Sequence, residues 1–360
     1  MKSWGKFVMK LKIRNKIIEI PIIQGGMGVG ISLGRLSGAV AREGAMGTIS
    51  MVNIGYREDD FYTNTLEANK RGFKNQLDLA KKIAGGRGLI GVNIMVAANQ
   101  YEELVKEAVK EKVDYIISGA GLPLNLPKLV DNEEILISPI VSSLKALKLI
   151  NKVWWKKYNR LPDFVVLEGS GAGGHLGFKK EEIQSGKSLE ELTRELSDYL
   201  RTIEIQEGKI IPLFVAGSVY DGYDLKKYRE LGATGIQIGT RFIGSHECDA
   251  DIRYKEFIIA SREKDLTIID SPAGLPGRVI RNNFLGEIEK SRRPSKKCIN
   301  CLRTCDPKTT QFCISDTLIN SVKGNIHDGL IFAGSNLNRV TEFVSVKNII
   351  DEIVKEYNEK

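Results

Sequence analysis

Eight short apolar runs punctuate the chain, near residues 21, 47, 90, 115, 136, 165, 212 and 235. Each precedes a stretch whose apolar residues recur at helical spacing. Pro21 to Gln24, for example, leads into LGRLSGAVAREG, where Leu33, Leu36, Ala39 and Val40 share one helix face and Gly44 stops it. Helices are likewise predicted over Asp59–Ala84, Gln100–Lys112, Ser143–Tyr158 and Ser188–Gln206, and within DGYDLKKYRELG. Runs that are apolar throughout, rather than alternating, read as strands buried on both faces, hence a parallel sheet covered by helices. Eight such units within about 250 residues match a closed (β/α)8 TIM barrel. A doubly wound open sheet shares the periodicity and stands as the alternative.

Past Arg241 the rhythm changes. A helix near Ala250–Arg262 is followed by SPAGLPGRVIRN, rich in proline and glycine, and by the basic SRRPSKK. Residues 1–290 are therefore expected to form the barrel. Residues 291–360 are expected to form a C-terminal cysteine-containing cap, with helices over Ile314–Lys323 and Val346–Tyr357 and a glycine-bearing return, NIHDGLIFAGSN, between them.

Composition narrows the class. The chain has 360 residues, 42% hydrophobic and 27% charged, which is ordinary for a globular protein, but its 36 glycines imply many tight or ligand-facing loops. The net charge of +8 comes from lysines interleaved with acids, as in EELVKEAVKEKVD, and reads as solvated surface rather than a nucleic-acid groove. The first residues, MKSWGKFVMKLKIRNK, are basic without a signal-peptide core, and no apolar run is long enough to cross a bilayer. A cytoplasmic protein with neither membrane nor nucleic-acid partner is expected. Oligomeric state is left open, a homodimer being the assembly entertained.

Chemistry in a barrel sits at the C-terminal ends of the strands. Those ends here read QGGMG, GVNIM, SGAG, EGSGAGGH, VAGS and QIGT, so Asn93, Ser118, Glu168, His175, Ser218, Gln237 and Thr240 are expected to ring one mouth. After the run at 165, five of the ten residues from Glu168 to Gly177 are glycine, and His175 follows Gly173 and Gly174 directly. A histidine in a loop that lets something large approach is a candidate acid or base. His246 and His327 lack that setting and read as surface or core residues. Gly217 and Gly239, after the last two runs, precede helical segments whose N–H groups suit an anion such as a phosphate. The alternative is that both are plain turn glycines. Asn93 and Gln237 each donate and accept, which suits the polar edge of a planar heterocycle.

Through PIIQGGMG, GAVAREGAMGTIS, GVNIM, SGAG, EGSGAGGHLG, IPLFVAGSVYDG and GATGIQIGTRF the chain resembles the FMN-dependent barrels that comprise nitronate monooxygenases (2-nitropropane dioxygenases) and flavin-type enoyl-ACP reductases. The resemblance implies FMN as cofactor, with Gly25, Gly26 and Met27 along the isoalloxazine and Gly173 over it. It implies Asn93 and Glu168 at the polar edge or ribityl chain, Gly217, Ser218, Gly239 and Thr240 at the phosphate, and His175 as catalytic base. Two positions depart from the pattern. Ser218 stands where the family usually has a second glycine, and Glu168 with Gly171-Ala172 replaces a glutamine and a glutamate-alanine pair.

Four of the five cysteines, Cys298, Cys301, Cys305 and Cys313, follow a C-x2-C-x3-C-x7-C spacing. Thiolates so crowded could wrap zinc or an iron–sulfur cluster; the alternative is reduced thiols in a cap. Three functions follow. The leading one is nitronate or nitroalkane oxidation with O2 to a carbonyl and nitrite, a monooxygenase-type flavoprotein reaction. The second is NAD(P)H-dependent enoyl-ACP reduction, with Arg292–Lys297 meeting an acidic carrier. The third is electron transfer from a cysteine-bound cluster to FMN.

Overall fold

The computed structural model describes residues 10–359; most of the basic N-terminal lead-in lies outside them. All eight predicted runs are strands: β1 (Ile22–Gln24), β2 (Met46–Ser50), β3 (Leu89–Met95), β4 (Tyr115–Gly119), β5 (Leu136–Val141), β6 (Val165–Glu168), β7 (Leu213–Ala216) and β8 (Gly235–Ile238). They pair in parallel around a closed barrel, β8 returning to β1 through Ile236↔Ile22 and Ile238↔Gln24. Closure eliminates the open-sheet alternative.

Alternation along each strand divides the apolar residues into two cores. Ile23, Tyr115, Ile117, Phe164, Val166 and Phe214 point inward, where the rings of Tyr115, Phe164 and Phe214 meet edge-on at centroid distances of 6.0 and 5.6 Å. Their neighbours Ile22, Ile116, Val165, Leu167 and Val215 point outward under the helices. Each fully buried aromatic contributes roughly 2–3 kcal/mol. The strands read as unbroken apolar runs because both sets are buried.

The helices start where side chains supply the missing acceptors. Ser143, Ser188 and Asp221 each take an N–H of the first turn of Leu144–Tyr158, Leu189–Glu207 and Gly222–Glu230. The helix predicted from Asp59 begins only at Thr65, because the chain before it runs through turns and Asn64, at φ −139° and ψ 53°, is not helical.

A hairpin, Leu11–Ile13 with Lys16–Ile18, closes the N-terminal end of the barrel and adds Ile13 and Ile18 to the inner core. Past β8 the chain folds back onto the barrel. Leu266–Asp270, Pro276–Ile280 and Gly174–His175 form a small antiparallel sheet beside the mouth, a pairing not foreseen for the glycine loop. Helix Ile314–Val322 follows, and Val346–Asn358 packs on Gly222–Glu230, where Gly222 N–H donates to Glu356 at 2.9 Å. No helix among the described residues is long and apolar enough to cross a membrane.

Asp163, fully buried below β6, ties hairpin to barrel. It accepts from Arg14 Nε at 2.6 Å, Lys209 Nζ at 3.3 Å and the Ile137 N–H at 2.9 Å. Removing one member of a buried ion cluster strands the others, so Asp163→Ala should lower unfolding free energy by about 3–5 kcal/mol. Denaturant unfolding read by far-UV circular dichroism measures it.

Candidate active site

One cavity opens at the C-terminal end of the barrel. The loop after β1 is fixed first: Gly25 N–H donates to the Ile238 carbonyl at 2.8 Å, and the buried Gln24 amide bridges Gly25 O and the Thr48 N–H. Gly25, Gly26 and Met27 thereby form one wall. Asn93 from the end of β3, Glu168 from β6 and Gln237 from β8 also face the cavity. None of these three side chains makes a hydrogen bond within the described residues, so three polar groups converge unpartnered on one space. Burial pushes the Glu168 carboxyl up to about 8, which keeps it neutral, and able to donate, near pH 7.

The far end gathers backbone amides. Gly217 has φ +81° and Ser218 φ +68°, and the amides of Gly217, Ser218, Gly239 and Thr240 donate to no described protein group. Ser218 in the left-handed region explains why glycine is usual there. The expectation that the helix after β7 would lend its N-terminus is corrected. Asp221 and Glu356 already occupy the N–H groups of Asp224 and Gly222. The free donors are those of the turns themselves; the buried Arg241 guanidinium beside them is stacked 4.3 Å from the Tyr220 ring and ion-paired with Glu352.

A third turn completes this end. Ala333-Gly334-Ser335 crosses over from the extension: Gly334 N–H donates to Thr240 Oγ1 at 2.9 Å, Ser335 N–H to Gly171 O at 2.9 Å, and Ser335 Oγ lies 2.9 Å from Ser218 Oγ. Sequence reasoning missed it. The available signal was the tripeptide Ala-Gly-Ser, which occurs both at 216–218 and at 333–335.

The glycine loop is shaped as much by this crossing as by any ligand. A Cβ on Gly173 would stand 2.6 Å from Gly334 N, so two backbones meet there. Arg278 braces the loop, donating to the carbonyls of Ser170 at 2.6 Å and Ala172 at 2.8 Å. His175 ends in the small sheet, its ring edge-on to Phe332 and its Nε2 2.7 Å from Ser271 Oγ. Burial depresses its pKa to about 4, so the imidazole is neutral at ordinary pH.

Every residue expected at the cofactor or as base therefore lines this one cavity, and two further expectations fail. Ser118 turns outward and bonds Tyr101 Oη at 3.0 Å; Gly119 and Ala120 line the cavity in its place. The four cysteines do not assemble a metal centre, since among the described residues no three metal-ligating side chains converge. Cys298 is exposed, and burial pushes the half-buried Cys301, Cys305 and Cys313 thiols upward, Cys313 to about 12. Cys301 instead joins Leu302, Ile314 and Leu318 in lining the cavity. His246 packs against Phe343, and His327 is exposed near Asn283, both remote from the cavity.

The sequence profile of nitronate monooxygenases matches residues 10–356. The chain belongs to the nitronate monooxygenase family. It is an FMN-dependent oxidoreductase of that family. The probable nitronate monooxygenase of Bacillus subtilis (strain 168) is 25% identical, covering 93% of this chain and 95% of its own. That of Staphylococcus aureus (strain N315) is 26% identical over 76% and 78%. Among solved structures, FabK from Thermotoga maritima superposes with TM-score 0.69 at 25% identity, over 94% of this chain and 93% of its own. Nitroalkane oxidase from Streptomyces ansochromogenes superposes with TM-score 0.69 at 16% identity, over 94% and 96%, a likeness of fold. The cavity suits the family's cofactor: an anion end of free amides, an edge of free polar side chains, and open space before Gly239, where an added Cβ meets nothing nearer than Met27 Sδ at 3.6 Å.

Two outcomes follow. Gly239→Val should fold but project into the anion end, weakening FMN binding at least about tenfold in a flavin-fluorescence titration of the stripped protein. Glu168 keeps its proton in the native state over a pH range where the unfolded chain has lost it. The FMN-free protein should therefore lose stability as pH rises from the ordinary carboxyl range through about 8, and Glu168→Gln should flatten that limb in melting temperatures recorded against pH.

Proposed function

We propose that this family member oxidises nitronates, and the nitroalkanes from which they form, to a carbonyl compound and nitrite with O2 as oxidant. The observation that supports the reading is electrostatic. Glu168 is the one carboxyl among the described lining residues and is neutral below about 8, and His175 is neutral at ordinary pH, so the wall presents no negative charge to a small anion. The apolar lining residues Val52, Met95, Ile140, Leu318 and Phe332 would receive the alkyl part.

In this reading Asn93, Gln237 and the Glu168 carboxyl hold the polar edge of the flavin, and the Gly25–Met27 wall and Gly173 confine its ring. The amides of Gly217, Ser218, Gly239 and Thr240 hold its phosphate. Bound FMN supplies the electron acceptor and the site where oxygen is reduced. His175 moves the proton: it takes one from the α-carbon of a neutral nitroalkane, and with a nitronate it faces a substrate already ionised. We read residues 1–290 as the barrel and 291–360 as its extension, in a cytoplasmic protein able to pair as a homodimer.

The similarity to FabK from Thermotoga maritima favours one second reading, reduction of an enoyl thioester by NAD(P)H. Nitrite release matched to oxygen uptake separates the two from NAD(P)H oxidation driven by a crotonyl thioester. Absence of nitrite at every nitronate concentration removes the first reading. His175→Ala should stay yellow while kcat/KM for a neutral nitroalkane falls by roughly 10²–10⁴. A colourless variant would make His175 a cofactor-holding residue instead.

A further inference from the structure

We infer that Ser271 is a positioning residue that fixes the resting tautomer of His175, holding the ring proton on Nδ1 and so presenting a hydrogen-bond donor to the cavity until the tautomer changes and the ring can act as base.

Ser271 opens the turn between Leu266–Asp270 and Pro276–Ile280. Its N–H donates to Leu275 O at 3.2 Å and its carbonyl accepts from Gly274 at 2.9 Å, which sets the side chain against His175. His175 cannot drift away from it, because it sits in the same small sheet opposite Gly277, with Leu176 N–H bonded to Pro276 O at 2.8 Å and Phe332 against the ring. The 2.7 Å contact between Nε2 and Ser271 Oγ is thus built by the fold.

The direction of that bond follows from counting partners. Ser271 Oγ already accepts from the Ala273 N–H at 3.2 Å, and its hydroxyl proton has no described acceptor other than His175 Nε2. Ser271 is buried, with 8% of its surface exposed, so an Nε2–H donating to it would leave the hydroxyl proton with nowhere to go. The satisfied network has Ser271 O–H donating to a bare Nε2. A neutral imidazole then carries its proton on Nδ1. Nδ1 has no partner among the described residues and is not shut away from the cavity that the ring lines.

The consequence for substrate choice rests on the functional reading above. An Nδ1–H favours an anion, so the resting site is set for the nitronate itself. Removing a carbon proton needs a bare Nδ1, hence the other tautomer and a Ser271 hydroxyl left unsatisfied.

The test is nitrogen NMR of the FMN-loaded protein labelled with ¹⁵N-histidine, an assignable spectrum because the chain has three histidines. Near pH 7.5 (roughly one unit above the ordinary histidine pKa), His175 should show a protonated Nδ1 and an unprotonated Nε2. Ser271→Ala should bring in the Nε2–H form, and Ser271→Thr, which keeps the hydroxyl, should retain the wild-type pattern. An Nε2–H form in the wild type, or an unchanged Ser271→Ala spectrum, overturns the assignment. In kinetics, Ser271→Ala should raise the ratio of kcat/KM for a neutral nitroalkane to that for its nitronate about tenfold, with KM for the nitronate rising. An unchanged ratio despite a shifted tautomer overturns the link to substrate choice. An intact Nδ1–H pattern in a protein that turns over no nitronate sinks the functional reading alone.

Discussion

Closing eight parallel strands into a ring brings every strand's C-terminal end to a single rim, and the site depends on that geometric constraint. Asn93, Glu168 and Gln237 lie far apart in sequence and touch nothing in common except the space above the barrel. No local interaction draws them together. Hydrogen bonding between β8 and β1 does, by denying the sheet an edge. The interior below that rim is filled by Tyr115, Phe164 and Phe214, so a ligand can enter only the top layer, and the polar side chains there are left without protein partners.

What the chain discloses about itself follows the same physics. The strands are legible because they are buried on both faces, and the mouth residues are legible because position along a barrel strand fixes their level. Ser118 fails for a simple reason. Side chains alternate along a strand, so a residue at a strand end points either to the mouth or to the helices, and in β4 the register sends Ser118 to Tyr101. Ala333–Ser335 and Ser271 were opaque for another: each acts on residues more than ninety positions away, through segments whose pattern announces only turns. The cysteines show the limit of spacing as a signal. Their intervals permit a shared ligand, but the fold leaves Cys298 exposed and packs the half-buried Cys301 and Cys305 against the apolar core instead.

The density of glycine around His175 has two sources. Part of it lets the loop pass close to the Ala333–Ser335 crossing, as at Gly173, and part leaves open space beside the cavity, as at Gly174, where an added Cβ would meet nothing. The loop and the crossing segment are thus shaped to each other. Substitutions on one side of that seam are felt on the other, and through it at the anion end of the cavity.

The crossing also fixes an order of assembly. Residues 333–335 are synthesised after all eight barrel strands, so a nascent chain can close its barrel before the last wall of the anion end exists. During that interval the loop from Gly169 to Gly174 lacks the backbone it is shaped to meet. Completion of that wall is therefore tied to synthesis of the extension rather than to formation of the barrel.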